Sequence, residues 1–316
     1  MRFVIYQESR VGKRKYNQDR IANCYTRDAL LMVVADGMGG HLRGEAAAQI
    51  AVQYLAESFQ KLAHPKLPDP TLFLLECFEK AHAAILDYAS REEMLESPRT
   101  TCVACVIQDG VAHWVHTGDS RLYHLRAGRI LAQTKDHSHV QKLVNQGRIR
   151  EEAVASHPER NTIYSCLGGT RAPQITLSPK VPLFPGDTLM ICSDGVWGPL
   201  SGTLIAGTLL GGNVIQGIPA LLDLAEKRGG EHQDNLSAVA VTWREPRKQK
   251  PEELRPDEPK GEHMVVTETM PLNSFTSQLR DFGATEKDNK DAYLSDAEIE
   301  KAIKEIRDSI RKVSKP

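Results

Sequence analysis

Three apolar runs in this chain each carry an aspartate at one end. They are Val33-Val34-Ala35-Asp36-Gly37-Met38-Gly39-Gly40-His41, Leu189-Met190-Ile191-Cys192-Ser193-Asp194-Gly195, and Gln233-Asp234-Asn235 before Leu236-Ser237-Ala238-Val239-Ala240-Val241. Runs of four to six apolar residues bounded by Gly and Asp read as buried strands, so a carboxylate stands at each strand end. Such a carboxylate is costly to desolvate unless it meets a cation. Three that converge would form an all-oxygen site for a hard divalent ion. Scattered, they would be ordinary turn aspartates, because Asp-Gly is a common turn dipeptide.

The rest of the chain supplies a single large α/β unit around these runs. Strands are expected at 2–6, 20–25, 30–35, 101–107, 111–117, 121–126, 187–193 and 236–243. Tight turns such as Gln108-Asp109-Gly110 and Ala127-Gly128-Arg129 suit antiparallel hairpins. A helix is expected over about 44–62, with Ala47, Ile50, Ala51, Tyr54, Leu55, Ser58, Phe59 and Leu62 on its inner face. A second, over about 70–89, turns Leu74, Leu75, Phe78, His82 and Ile85 inward, with His82 a boundary histidine. Consecutive helices between groups of antiparallel strands point to a layered sandwich, not alternating βαβ units. Residues 136–171, with short helical turns near 139–146 and 150–156 and punctuating glycines, suit a flap beside an active site.

Composition changes after Trp243. From Glu245 to Lys260, ten of sixteen residues are charged and four are proline, which cannot offset chain entropy by burial. Residues 245–294 are therefore expected to be a flexible linker behind a unit at 1–244. Ser295-Asp296-Ala297-Glu298 forms a capping box, and Ile299, Ile303, Ile306, Ile310 and Val313 form a short stripe on an amphipathic helix at 295–316. That stripe implies docking over 295–313, on the chain itself, a second copy or a partner.

Net charge and cysteine usage exclude several classes. A net charge of -1 gives no bulk attraction to nucleic acid. Met1 to Tyr6 lead straight into a strand without a signal-peptide core, and nowhere do about 18 uncharged apolar residues follow one another. A cytoplasmic protein without membrane insertion is expected. The six cysteines read as reduced core residues. Cys102 and Cys105 form a CxxC, but three residues apart in a strand face opposite sides.

Two further strings join the aspartates: Arg14-Lys15-Tyr16-Asn17-Gln18-Asp19 and Thr117-Gly118-Asp119-Ser120-Arg121. Together with DGMGGH at 36–41, TKDHS at 134–138, CSDGVW at 192–197 and DN at 234–235, they make the chain similar to the metal-dependent serine/threonine phosphatases of type 2C in their bacterial form. The resemblance spans about 1–243. It implies an α+β, four-layer sandwich: two antiparallel β-sheets packed face to face, with helices on both outer faces. It implies hydrolysis of phosphoserine and phosphothreonine in phosphorylated proteins, the products of a serine/threonine kinase. It implies two Mn²⁺ or Mg²⁺ ions and a weaker third.

By motif position, Asp36 bridges the two ions, the Gly37 carbonyl binds one, and Asp194 and Asp234 bind the other. Asp19 holds waters around the ions, and Arg14 takes the phosphate through a guanidinium fork that lysine cannot reproduce. Asp119 matches the position of the third ion and is expected to lack the buried context of the other aspartates. Gln18 and Met38 depart from members that carry glutamate and histidine there. A thioether cannot donate a proton, so His41 is the nearest candidate acid for the leaving group. A non-catalytic module binding phosphorylated partners on the same fold is the alternative.

Overall fold

Successive side chains of the central strands, buried on both faces, enter two different cores. In the computed structural model, which describes residues 1–39, 43–150, 153–154 and 157–244 and the backbone of 266–269, strand β3 (Ala29–Met38) turns Leu31, Val33 and Ala35 to one side. Leu30, Met32 and Val34 face the other. β5 (Cys102–Gln108) does the same, with Cys102, Ala104 and Val106 opposed to Val103, Cys105 and Ile107. Cys102 and Cys105 thus lie on opposite faces as expected, and all six cysteines are free thiols.

The strands form two antiparallel sheets. The first runs β1 (Arg2–Arg10), β12 (Leu236–Arg244), β11 (Thr188–Cys192), β7 (Arg121–Arg126) and β8 (Arg129–Gln133). The second runs β10 (Val181–Pro182), β6 (Val111–Thr117), β5, β3, β2 (Asp19–Tyr25) and β13 (Val266–Thr269). In it β4 (Arg99–Thr100) extends the end of β3, and β9 (Thr176–Leu177) pairs with β6. One core fills the space between the sheets. A second packs α1 (Gly44–Leu62) and α2 (Pro70–Arg91) on the outer face of the second sheet. A third packs α5 (Gly202–Thr208) and α6 (Val214–Gly229) on the outer face of the first. This is the four-layer sandwich expected from the sequence.

The two expected long helices stand where the periodicity placed them, and α3 (His139–Asn145) is the short helical turn expected near 139–146. Asp69 caps α2 by accepting the Thr71 and Leu72 amides at 2.8 and 3.0 Å, and Pro70 occupies its first turn. His82 is a boundary residue whose Nδ1 accepts the Gly168 amide at 3.1 Å. Leu62 departs from the expectation: as the last residue of α1 it is 57% exposed, although Phe59 and Ala63 on either side of it are buried. α5 and α6 were not expected. Gly211, Gly212, Gly217 and Pro219 break the local signal, yet Val214, Ile218, Leu221, Leu222 and Ala225 make a buried stripe. Within the stretch expected as a linker, β13 lies antiparallel to β2, Val266 opposite Tyr25 and Thr269 opposite Ala22. The remainder of 245–294, the helix expected at 295–316 and part of the turn near 150–156 lie outside the described residues. No helix among the described residues is long and apolar enough to cross a membrane.

Candidate active site

Strand ends from both sheets meet at one edge of the sandwich. Asp19 opens β2 directly opposite Asp36 near the end of β3. Asp194 starts α4 (Asp194–Trp197), two residues beyond β11, and Asp234 stands two residues before β12. Asp119 lies in the turn where the chain passes from β6 to β7, and so from one sheet to the other. The expected aspartates therefore converge. The charges of Asp19, Asp194, Asp119 and Asp234 all act on Asp36.

Burial and mutual repulsion dominate the electrostatics. Burial, then the charges of Asp19, Asp194, Asp119 and Asp234, holds the Asp36 carboxyl well above the usual carboxylate range. Burial pushes Asp19 up to about 7, despite hydrogen bonds from Ser193 and Ser237 and with the charges of Asp194 and Asp234 adding to it. Asp194 is pushed up to about 6 by burial and then by Asp234. Asp119 is raised too, by burial and then by Asp194. Asp119 is only 8% exposed and stands two residues beyond buried β6, so the expectation that it lacks the buried-strand context of the other aspartates is corrected.

These carboxylates fit a divalent cation. The donors are oxygens, as a hard ion prefers. Asp19 Oδ1 is buried without a hydrogen-bond partner among the described residues, while its Oδ2 accepts from Ser193 Oγ at 2.7 Å. One oxygen is thus anchored and the other is left for a group within the site. Among the described residues no group of three or more His, Cys, Asp and Glu could hold an ion unaided. An ion that keeps several of its own waters, as Mg²⁺ does, needs no such cage.

The raised carboxyls set a pH dependence for the metal-free protein. A carboxyl with a folded-state pKa above its unfolded value binds more protons when folded. Its contribution to stability is complete below about pH 4 and is lost as pH rises through the folded values. For Asp194 and Asp19 those values are about 6 and about 7. The melting temperature in chelator should therefore decline between about pH 4 and pH 7, and Mn²⁺ should reverse the decline at pH 7. Thermal scans with and without Mn²⁺ across that range check this; a flat metal-free profile would contradict it.

Sequence reasoning missed a polar floor beneath the aspartates. Ser193 Oγ also accepts the Ser237 amide at 3.0 Å, and the Ser237 hydroxyl meets Ser9 Oγ at 2.7 Å. Asn17 Nδ2 donates to Ser9 Oγ at 2.8 Å, and Asn17 Oδ1 accepts the Asp19 amide at 3.0 Å. Asn235 ties down the preceding loop: it accepts the Gln18 amide at 2.8 Å and donates to the Val11 and Tyr16 carbonyls at 2.8 and 2.9 Å. Gly12, at φ 62°, lets that loop pass the Asp234 carbonyl, which a Cβ would approach to 2.1 Å. The only sequence signal for this floor is that Ser193, Asn17 and Asn235 adjoin the acidic strings.

Arg14 stands at the rim, where its Nη2 donates to Asp234 Oδ2 at 2.7 Å. The two side chains are 59% and 37% exposed, so this pair is weak and open to exchange with another anion. Gln18 turns from the aspartates, its amide donating to Glu45 Oε2 at 3.1 Å. The Gly37 amide donates to the Gln18 carbonyl at 3.2 Å, and a Cβ on Gly37 would lie 2.3 Å from the Gly44 carbonyl at the start of α1. His41 lies outside the described residues.

A clamp fixes the Asp119 turn. Arg121 Nε and Nη2 each donate at 2.8 Å to the two oxygens of buried Asp136. The same guanidinium stacks 3.4 Å above the Trp197 ring, and Trp197 Nε1 donates to the Asp119 carbonyl at 3.0 Å. The GDSR, TKDHS and CSDGVW strings thus close on one another.

A family model described as protein phosphatase 2C matches residues 7–204. A putative protein phosphatase 2C-type of Streptococcus pyogenes is 34% identical over 232 residues, 72% of this chain and 92% of its own length. The serine/threonine protein phosphatase PstP of Mycobacterium tuberculosis is 36% identical over 218 residues, 67% of this chain and 40% of that longer one. Its crystal structure superposes with a TM-score of 0.67 at 32% identity, covering 77% of this chain and 99% of that one. The PstP catalytic domain in complex with two manganese ions superposes with a TM-score of 0.65 at 31% identity, covering 76% and 97%.

Proposed function

The chain belongs to the protein phosphatase 2C family and is a protein serine/threonine phosphatase, and from that premise we propose a metal-dependent hydrolysis of phosphoserine and phosphothreonine at the converging aspartates. The observation that carries the metal dependence is the convergence of buried and half-buried carboxyls whose acidity is suppressed by burial and then by one another's charge, together with Asp19 Oδ1, which has no partner among the described residues. Asp36, the Gly37 carbonyl, Asp194 and Asp234 would hold two Mn²⁺ or Mg²⁺ ions, and Asp119 a weaker third. When bound, such ions supply an activated water and neutralise charge on the phosphoryl oxygens.

The chain's own groups do the rest. Asp19, anchored by Ser193, presents Oδ1 to orient a water in the site. Arg14 exchanges Asp234 for the phosphate and forks onto two of its oxygens. His41 is the candidate proton donor to the departing serine or threonine oxygen. The catalytic unit is taken as 1–244, acting in the cytoplasm on phosphorylated proteins, with 295–313 as a docking helix for a partner. A module that only bound phosphorylated partners would gain nothing from gathering mutually repelling carboxylates, Asp19 and Asp119 buried and Asp36 and Asp194 half-buried.

Phosphate release from a phosphothreonine peptide tests the reading. In that assay Arg14→Ala should raise KM and lower kcat/KM by about 1.5–3 kcal/mol, the loss of a charged hydrogen bond, with Mn²⁺ affinity little changed. Unaltered KM and turnover would make Arg14 a surface charge.

A further inference from the structure

A cleft of about 320 Å³ opens where β3 ends, beside Met38 and Gly39, and none of the roles above uses it. One wall is Arg99, which sits opposite Met38 in the β3–β4 register. The other is the returning limb of the flap, including Tyr164, Cys166 and Arg171. That limb is held firmly. Thr100 and Leu167 exchange backbone hydrogen bonds at 3.2 and 2.9 Å, and the Tyr164 amide donates to the His137 carbonyl at 2.8 Å. The cleft therefore has a defined shape beside Asp36.

Its charge is one-sided. Among the described residues, two guanidinium groups line it and no acidic side chain does. The carboxylate of Glu96, 3.8 Å from Arg99, forms a loose pair in which both side chains are about half exposed. Tyr164 is 52% exposed and offers an aromatic platform. A phosphopeptide with its phosphoryl group at the aspartates would run its neighbouring residues into this cleft, because Met38 is two residues from Asp36. Exposed guanidiniums on both walls select an anionic side chain there, whether carboxylate or phosphate.

We infer that this cleft is a specificity subsite for an anionic side chain flanking the phosphoresidue, with Arg99 and Arg171 as its specificity-determining residues. The inference rests on the phosphatase reading above and adds the substrate class: acidic or multiply phosphorylated segments.

The test measures kcat/KM on phosphothreonine peptides that differ only in their flanks, which are glutamate, alanine, lysine or a second phosphothreonine. Turnover of p-nitrophenyl phosphate, which has no flanks, is measured alongside. The wild-type protein should favour glutamate over alanine flanks by about fivefold at low salt, and disfavour lysine. A larger gain with the second phosphate would assign the subsite to phosphate, and an equal gain to any anion. The preference should shrink at about 0.5 M salt, where exposed charges are screened. Arg99→Ala combined with Arg171→Ala should erase it, and Arg171→Glu should shift it towards lysine. The chromogenic ester should be turned over equally by all of these variants. Equal kcat/KM on all flanks by the wild type, or a preference surviving the double substitution, overturns the inference and leaves the phosphatase reading intact. A wild-type chain inert towards both ester and peptides in Mn²⁺ overturns both.

Discussion

Asp36→Asn is expected to lower turnover of a phosphothreonine peptide by about a hundredfold or more. Loss of a residue that merely supports a metal ligand costs about 10- to 100-fold, so loss of charge at the proposed bridging ligand should cost at least the upper figure. The asparagine keeps one oxygen and the side-chain shape, so the fold should survive. Removal of a buried charge that Asp19, Asp194, Asp119 and Asp234 all repel should also leave the metal-free protein as stable as wild type at pH 7, or more so. Turnover and thermal unfolding, measured together, separate the outcomes. Lost activity with a lowered metal-free melting temperature would mean that Asp36 supports the fold instead. Retained activity would remove it from the chemistry.

Asp136→Asn should produce the largest loss of stability. Its carboxylate is the bidentate partner of Arg121, and both side chains are nearly buried, at 5% and 15% exposure. Removal of one partner leaves a buried guanidinium uncompensated, at a cost of about 3–5 kcal/mol. In a unit of this size that should lower the melting temperature by roughly 10 °C. The damage should reach the site, because Arg121 stacks on Trp197 and Trp197 holds the Asp119 carbonyl. Arg121→Lys should show a similar loss, since an ammonium keeps the charge but cannot fork or stack. A shift of less than about 2 °C in either variant would show that the clamp contributes little.

Legibility in the sequence followed the range of the interaction. The continuous apolar runs of β3 and β5 and the stripes of α1 and α2 are local, and they placed those elements correctly. The aspartates were legible because each adjoins an apolar run. β8 was missed because, as an edge strand, it alternates only between exposed and half-buried residues and carries little apolar signal. α6 was missed because its glycines and Pro219 outweigh a buried stripe that only the first sheet reveals. Nothing local shows that β1 pairs with β12, setting Arg2 opposite Arg244. Nor does anything local mark Ser9 and Ser237 as parts of the floor: a serine in a strand looks alike whether it faces water or a carboxylate. The burial of Asp119 depends on a crossover between sheets, which is a property of topology.

The central claim is that the aspartate cluster works only with a divalent ion. The most direct measurement is phosphate release from a phosphothreonine peptide by the full chain, in excess chelator and after Mn²⁺ is restored. The expected result is turnover at background in chelator and recovery on adding Mn²⁺, with no recovery in Asp36→Asn. Full turnover in chelator would contradict the account, because the repulsion among Asp19, Asp36, Asp119 and Asp194 would then have no catalytic purpose.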